Sequence, residues 1–241
     1  MELICRGLLQ VKKRNFCGRP KHIKMHDILR EFALSISKEE KFVAVSDGKK
    51  GVEGNGIRRC SIEVTHKELN QGGKETSQLR SLFIFVVDEI SKSSFNKLPS
   101  GLKLLRVLDL EDAPINELPK EFEDLFNLRY LNLTRTEVKV LPKSIGKLFN
   151  LQTLLLKGAK IVELPPQMVK LQNLRHLTAF HYIYRDKYFK RWKSIRVPPS
   201  ICRINSLQVL SFVEATDALI KQLKRNDTAN NTWPCLRYGS S

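Results

Sequence analysis

An α/β solenoid is the fold class that this sequence predicts, and three observations predict it. Leu105, Leu128, Leu151 and Leu174 each open a stretch of the form LxxLxL, the last ending in Ala179, and each follows its predecessor by 23 residues. Behind the first three stands an apolar residue and then Pro119, Pro142 or Pro165. A short apolar return follows, through Phe122 and Leu125, Ile145 and Leu148, or Met168 and Leu171. The 241-residue chain is 41% hydrophobic, enough for a continuous core. A pattern repeating at this interval builds one short strand and one tight return per unit, stacked so that neighbours cover each other's leucines.

The elements follow in chain order. Leu3 to Val11 reads as a helix end running into a strand, Arg14 to Gly18 as a turn, and His22 to Lys24 as a return strand. Met25, Ile28, Leu29, Phe32, Ala33 and Ile36 then fall on one face of a helical wheel, the stripe of an amphipathic helix. Helix, hairpin and helix suggest that residues 1–45 form the C-terminal part of a winged-helix unit. The glycines of residues 46–56 mark a flexible linker.

Strands at Ile57–Ile62 and Leu79–Ile84 precede the regular units and one at Leu207–Phe212 follows them, so residues 57–216 hold about seven leucine-rich-repeat strand units. Ala113, Thr136, Ala159 and Ala215 occupy the place after the strand where many repeats carry an asparagine ladder; small residues there still permit the bend. The sixth unit carries an insertion at 181–194, aromatic and basic, which is expected to leave the solenoid as a loop. Residues 217–241 have no repeat register; a helical turn is expected over 217–223 and disorder beyond it.

Side chains alternate across a strand, so the leucines of LxxLxL point inward and the residues between them line the concave side. The candidate partner-binding positions are therefore Arg106, Val107 and Asp109; Arg129, Tyr130 and Asn132; Gln152, Thr153 and Leu155; Arg175, His176 and Thr178. Arg and Tyr are prominent among interface hot spots.

Composition bounds the remaining possibilities. The net charge of +17 is concentrated in Arg6 to Lys24 and His181 to Arg196. Cys5, Cys17, Cys60, Cys202 and Cys235 show neither disulfide-framework nor zinc spacing, so they read as reduced packing residues and no metal is expected. Without a secretory signal or an apolar run long enough to span a bilayer, the chain is placed in the cytoplasm, with peripheral contact at the plasma membrane as an option. The sequons at Asn132, Asn226 and Asn230 then read as chance matches. No nucleophile–base or carboxylate pair has a spacing that supports catalysis, so the chain reads as a binder and not an enzyme.

The order Lys24-Met25-His26-Asp27-Ile28-Leu29-Arg30, Lys38-Glu-Glu-Lys-Phe42, Ile57-Arg-Arg-Cys60-Ser-Ile62, Leu131-Asn-Leu-Thr-Arg-Thr136, Leu141-Pro-Lys-Ser-Ile145 and Leu151-Gln-Thr-Leu154 closely resembles the plant nucleotide-binding leucine-rich-repeat disease-resistance proteins of the coiled-coil class. The resemblance covers about residues 1–222. It implies that His26, in the Met-His-Asp motif of the winged-helix subdomain, contacts the β-phosphate of ADP in an intact parent, with Asp27 shaping the helix start. A helix N-terminus attracts anions, which is compatible with that role. The residues also permit a plainer reading, in which Met25 packs in the core, His26 is exposed and Asp27 caps the helix. No G-x-x-x-x-G-K-[ST] phosphate loop is present, and Gly72-Gly73-Lys74-Glu75 does not supply one. The sequence is thus expected to be a truncated member that binds no nucleotide by itself, ADP or ATP belonging to the parent. The resemblance further implies a pathogen effector or guarded host protein on the concave face, and contacts with the parent's nucleotide-binding and coiled-coil domains. Two alternatives stand beside it: an RNA- or membrane-surface-binding protein acting through residues 181–196, where aromatics alternate with Lys and Arg, and a non-functional truncated gene product.

Overall fold

The computed structural model describes residues 2–14, 18, 20–40, 42–46, 57–64, 77–86, 101–186, 189–211, 213–214, 216–227 and 236–237. It opens with α1 (Glu2–Cys5), an antiparallel hairpin of β1 (Leu9–Arg14) and β2 (Pro20–Met25), and α2 (Asp27–Glu39). The hairpin holds Leu9 opposite Met25, and Arg14 Nη1 donates to the Gly18 carbonyl at 2.8 Å. The apolar stripe forms one face of α2, yet no residue of the helix is buried; Ile28 is 74% exposed. Met25 is half-buried, so it does not pack in the core as the plainer sequence reading supposed.

Beyond α2 the chain enters the main sheet sooner than expected. β3 (Ala44–Ser46) lies parallel to β4 (Arg59–Val64), with Ala44 opposite Cys60. Ser46, expected to open a linker, is a strand residue; residues 47–56 lie outside the described ones. The Phe42 ring sits 4.3 Å from the Arg59 guanidinium, a cation–π contact that ties the two segments together.

The sheet continues in parallel through β5 (Ser81–Val86), β6 (Val107–Asp109), β7 (Tyr130–Asn132), β8 (Thr153–Lys157), β9 (His176–Asp186) and β11 (Val209–Ser211). Its register is set by the repeat: Val107, Tyr130, Thr153, His176 and Val209 stand side by side. The leucines of every unit are buried, Leu105, Leu128, Leu131, Leu151, Leu154, Leu174 and Leu177 fully. Covering each contributes roughly 1.5–3 kcal/mol before the ordering entropy is charged against it.

After each regular strand the chain turns through a left-handed residue, Asp112 (φ 61°), Arg135 (φ 57°) and Gly158 (φ 72°), again 23 residues apart. Only glycine takes this conformation freely; Asp112 and Arg135 bear a steric cost of about 1–2 kcal/mol. The next residue closes the bend as expected: Ala113, Thr136 and Ala159 are buried, and their amides donate to the Leu110, Leu133 and Leu156 carbonyls. An asparagine ladder does exist, one element away from where repeats were expected to carry it. Asn127, Asn150 and Asn173 stand just before the first leucine, and each donates to a carbonyl of the preceding unit, at Lys103, Phe126 and Phe149, over 2.8–2.9 Å.

Pro119, Pro142, Pro165 and Pro198 each lead into a 3-10 turn, Lys120–Asp124, Lys143–Lys147, Pro166–Lys170 and Pro199–Arg203. Proline is tolerated where no helical amide is required. These turns stack so tightly that a Cβ on Gly146 would lie 2.8 Å from the Gln167 carbonyl oxygen.

Two expectations are corrected. The insertion is not a loop: β9 runs on past its unit to Asp186 and pairs antiparallel with β10 (Phe189–Ser194). Nor does structure end at 223: the helical turn expected over 217–223 is a longer helix, α3 (Asp217–Asp227), that buries Leu219, and β12 (Leu236–Arg237) adds to the sheet beside β11. Leu219, Ile220 and Leu223 recur at helical spacing in α3, and β12 pairs with the edge of β11. Residues 228–235 and 238–241 lie outside the described ones.

Candidate protein-binding face

The concave side is organised in rows, because the parallel register stacks equivalent positions of successive units about 4.8 Å apart. The second position of each unit carries Arg58, Arg80, Arg106, Arg129, Gln152, Arg175 and Gln208. Their carbonyls knit the sheet: that of Arg129 accepts from the Gln152 and Thr153 amides at 2.8 and 3.0 Å, and the pattern recurs from Arg58 through Arg175. With the backbone so engaged, the side chains face outward, and all five arginines are exposed. Among the described residues none of the five is in an ion pair. The result is a column of exposed positive charge that, among the described residues, carries no ion pair.

The third position supplies Val107, Tyr130, Thr153 and His176, all half-buried. Burial pushes the Tyr130 phenol up, and the Asp109 and Glu111 carboxylates push it further. The fifth position supplies Asp109, Asn132, Leu155 and Thr178. Asn132, expected among the contact positions, is buried at 2% exposure and its amide is fully used. It donates to Asp109 Oδ1 at 3.0 Å and Glu111 Oε2 at 3.1 Å, and accepts from the Thr134 amide at 3.0 Å. Small size and a full set of partners draw it inside, so it positions the two carboxylates and does not itself offer a surface. Burial raises the Asp109 carboxyl above the usual range, against the hydrogen bonds from the Glu111 amide and Asn132.

Arg135 closes this network at the lip. Its guanidinium donates to both oxygens of Asp112 and to Glu111 Oε1, all at 2.5 Å, and those bonds favour its charged form. The left-handed turns at Asp112 and Arg135 bring these groups together across adjacent units.

The structure thus gathers eleven of the twelve sequence-chosen positions on one accessible or half-accessible face and puts Asn132 beneath it. Sequence reasoning passed over Arg58 and Arg80, which extend the arginine column into the two irregular units. The signal was present: an arginine follows the first apolar residue in five of the seven strand units. His26 lies far along the chain from this face. It occupies the N-cap position of α2 with an exposed side chain and no side-chain cap bond. Asp27 does not cap either; it stands in the first helical turn, paired with Lys24 at 3.0 Å, which lowers its carboxyl pKa. Cys60 and Cys202 are buried, and burial pushes both thiols up to about 11, which keeps them protonated and inert. Among the described residues no helix is long and apolar enough to cross a membrane.

Comparison with known proteins accords with this geometry. The disease resistance protein RPM1 of Arabidopsis thaliana is 49% identical over 232 residues, covering 92% of this chain and 24% of that protein. The disease susceptibility protein LOV1 of the same plant is 32% identical over 140 residues, 52% of this chain and 15% of that one. The rice disease resistance protein Pik-2 is 29% identical over 115 residues, 46% and 11%. The chain therefore spans a quarter or less of the length of these relatives, and the resemblance to plant disease-resistance proteins read from its motifs is borne out by them. Residues 78–225 match the family described as "Leucine-rich repeat region", and with more than half of its length inside that match the chain belongs to the leucine-rich-repeat family.

Proposed function

We propose that this chain is the protein-recognition module of a plant immune receptor. Its concave face binds a pathogen-derived protein or a guarded host protein, and in an intact parent that binding is transmitted to an ADP/ATP switch of which His26 is part. The observation that carries the reading is the exposed arginine column, free of ion pairs among the described residues, beside Tyr130 and the Asp109–Asn132–Glu111 network. Five exposed guanidinium groups, none of them ion-paired among the described residues, fit an acidic protein surface, and carboxylates held between two units give that fit an orientation. The relatives named for disease resistance support the biological setting. The role is binding without catalysis, in the cytoplasm or at the inner face of the plasma membrane.

Charge reversal tests it. Replacing Arg129 and Arg175 together by Glu is expected to abolish co-purification with the partner captured by the wild-type chain, while the unfolding midpoint stays within the range of ordinary surface changes. Unchanged partner binding would remove the concave face from the reading. Phosphate release from ATP by the purified chain would overturn the non-catalytic assignment.

A further inference from the structure

β9 behaves as two strands in one. Its first five residues, His176 to Phe180, pair with β8, and His176 to Thr178 also pair with β11. Past Phe180 its only pairing among the described residues is with β10. A two-stranded ribbon therefore leaves the solenoid, and from His181 to Asp186 it reaches about 20 Å at roughly 3.3 Å per residue.

Its register sorts the residues. Tyr182 stands opposite Trp192 and Tyr184 opposite Lys190, whereas His181 stands opposite Lys193 and Ile183 opposite Arg191. Directly opposed residues share a face of an antiparallel pair, and the face alternates along each strand. One face of the ribbon thus carries Tyr182, Tyr184, Trp192 and Lys190, and the other carries His181, Ile183, Arg191 and Lys193. Asp186 is the one acid between His181 and Ser194.

We propose that this ribbon docks the solenoid on an anionic lipid surface. Tyr and Trp favour the headgroup level of a bilayer, where an amphipathic ring has one apolar and one wet side, and Lys and Arg reach from there to lipid phosphates. Charge complementarity supports that occupant, since a cytoplasmic leaflet is negative and each nearby cation strengthens adsorption about fivefold. The shape favours it over single-stranded RNA, which is held in a basic groove that tracks its backbone. A ribbon that past Phe180 pairs, among the described residues, only between its own two strands can enter a planar interface.

The test uses the full chain and sedimentation with phosphatidylcholine vesicles, with and without phosphatidylserine. A Trp233→Phe background leaves Trp192 as the sole tryptophan and reports its environment directly. Binding is expected only to the phosphatidylserine vesicles, weakening with salt, with a blue shift of Trp192 emission. Lys190→Glu, Arg191→Glu and Lys193→Glu together are expected to weaken it about a hundredfold. Should that variant fail to fold by circular dichroism, Lys193→Glu alone, at an exposed position, is expected to weaken binding severalfold. Absence of vesicle binding, an unmoved Trp192 spectrum, binding indifferent to these substitutions, or capture of oligouridylate in preference to vesicles would each overturn the proposal.

Discussion

The helix α2 and the repeat units obey the same rule of pattern and differ in what becomes of it. Both place apolar residues at the period of their secondary structure, and both fold as that period dictates. Yet Leu131 is entirely buried whereas Ile28 is 74% exposed. A period says which side chains share a face; it does not say what covers that face. In the solenoid the cover is supplied by the next copy of the same unit 23 residues on. The α2 stripe has no repeated counterpart among the described residues.

The largest expected effect tests that contrast directly. Leu131→Ala is expected to cost about 2–5 kcal/mol in urea unfolding, because a fully enclosed side chain leaves a cavity. Ile28→Ala is expected to stay within about 0.5 kcal/mol, as exposed substitutions do. Equal costs would erase the distinction between the two regions. Next comes the stacking of the 3-10 turns: Gly146→Ala drives a methyl against the Gln167 carbonyl and is expected to cost about 1–3 kcal/mol. Removing one rung of the side-chain ladder with Asn150→Ala is expected to cost about 1 kcal/mol, visible as faster amide exchange confined to neighbouring units.

The smallest effect is a pH dependence. Burial raises the Asp109 carboxyl, so the folded chain holds its proton to higher pH than the unfolded chain, whose Asp titrates near about 3.9. The stability contributed by this group therefore falls as pH rises through the carboxylate range. Asp109→Asn does not titrate; its stability relative to the parent is expected to climb across that interval and to show no gain below it. A gain already present at pH values below the unfolded pKa would assign the effect to something other than ionisation.

Much of this was legible because the repeat is its own alignment. The leucines named the strands, the prolines named the returns, and alternation named the exposed rows from Arg106 to Thr178. What escaped was whatever depends on a partner distant in sequence. Asn132 alternates like a surface residue, and only the carboxylates of Asp109 and Glu111, one unit away, explain why it is inside. The insertion looked like a loop because aromatic and basic residues alternate in it without a turn signal, whereas a strand already held by β8 prolongs itself cheaply once a second strand can pair with it. The tail lacked repeat register, but Leu236 needed only the open edge at Leu210 to pair with. Likewise the strand Ala44–Ser46 is too short to announce itself, and becomes a strand because Cys60, Ser61 and Ile62 present a ready edge.

That short strand gives the molecule a mechanical character. A tug on α2 reaches the solenoid five residues later along the axis of β3, which lies parallel to its neighbour. The pull then loads the β3–β4 hydrogen bonds sideways and together, and does not peel them one at a time. The junction between helix and repeats is therefore loaded in shear, the geometry in which a short strand yields last.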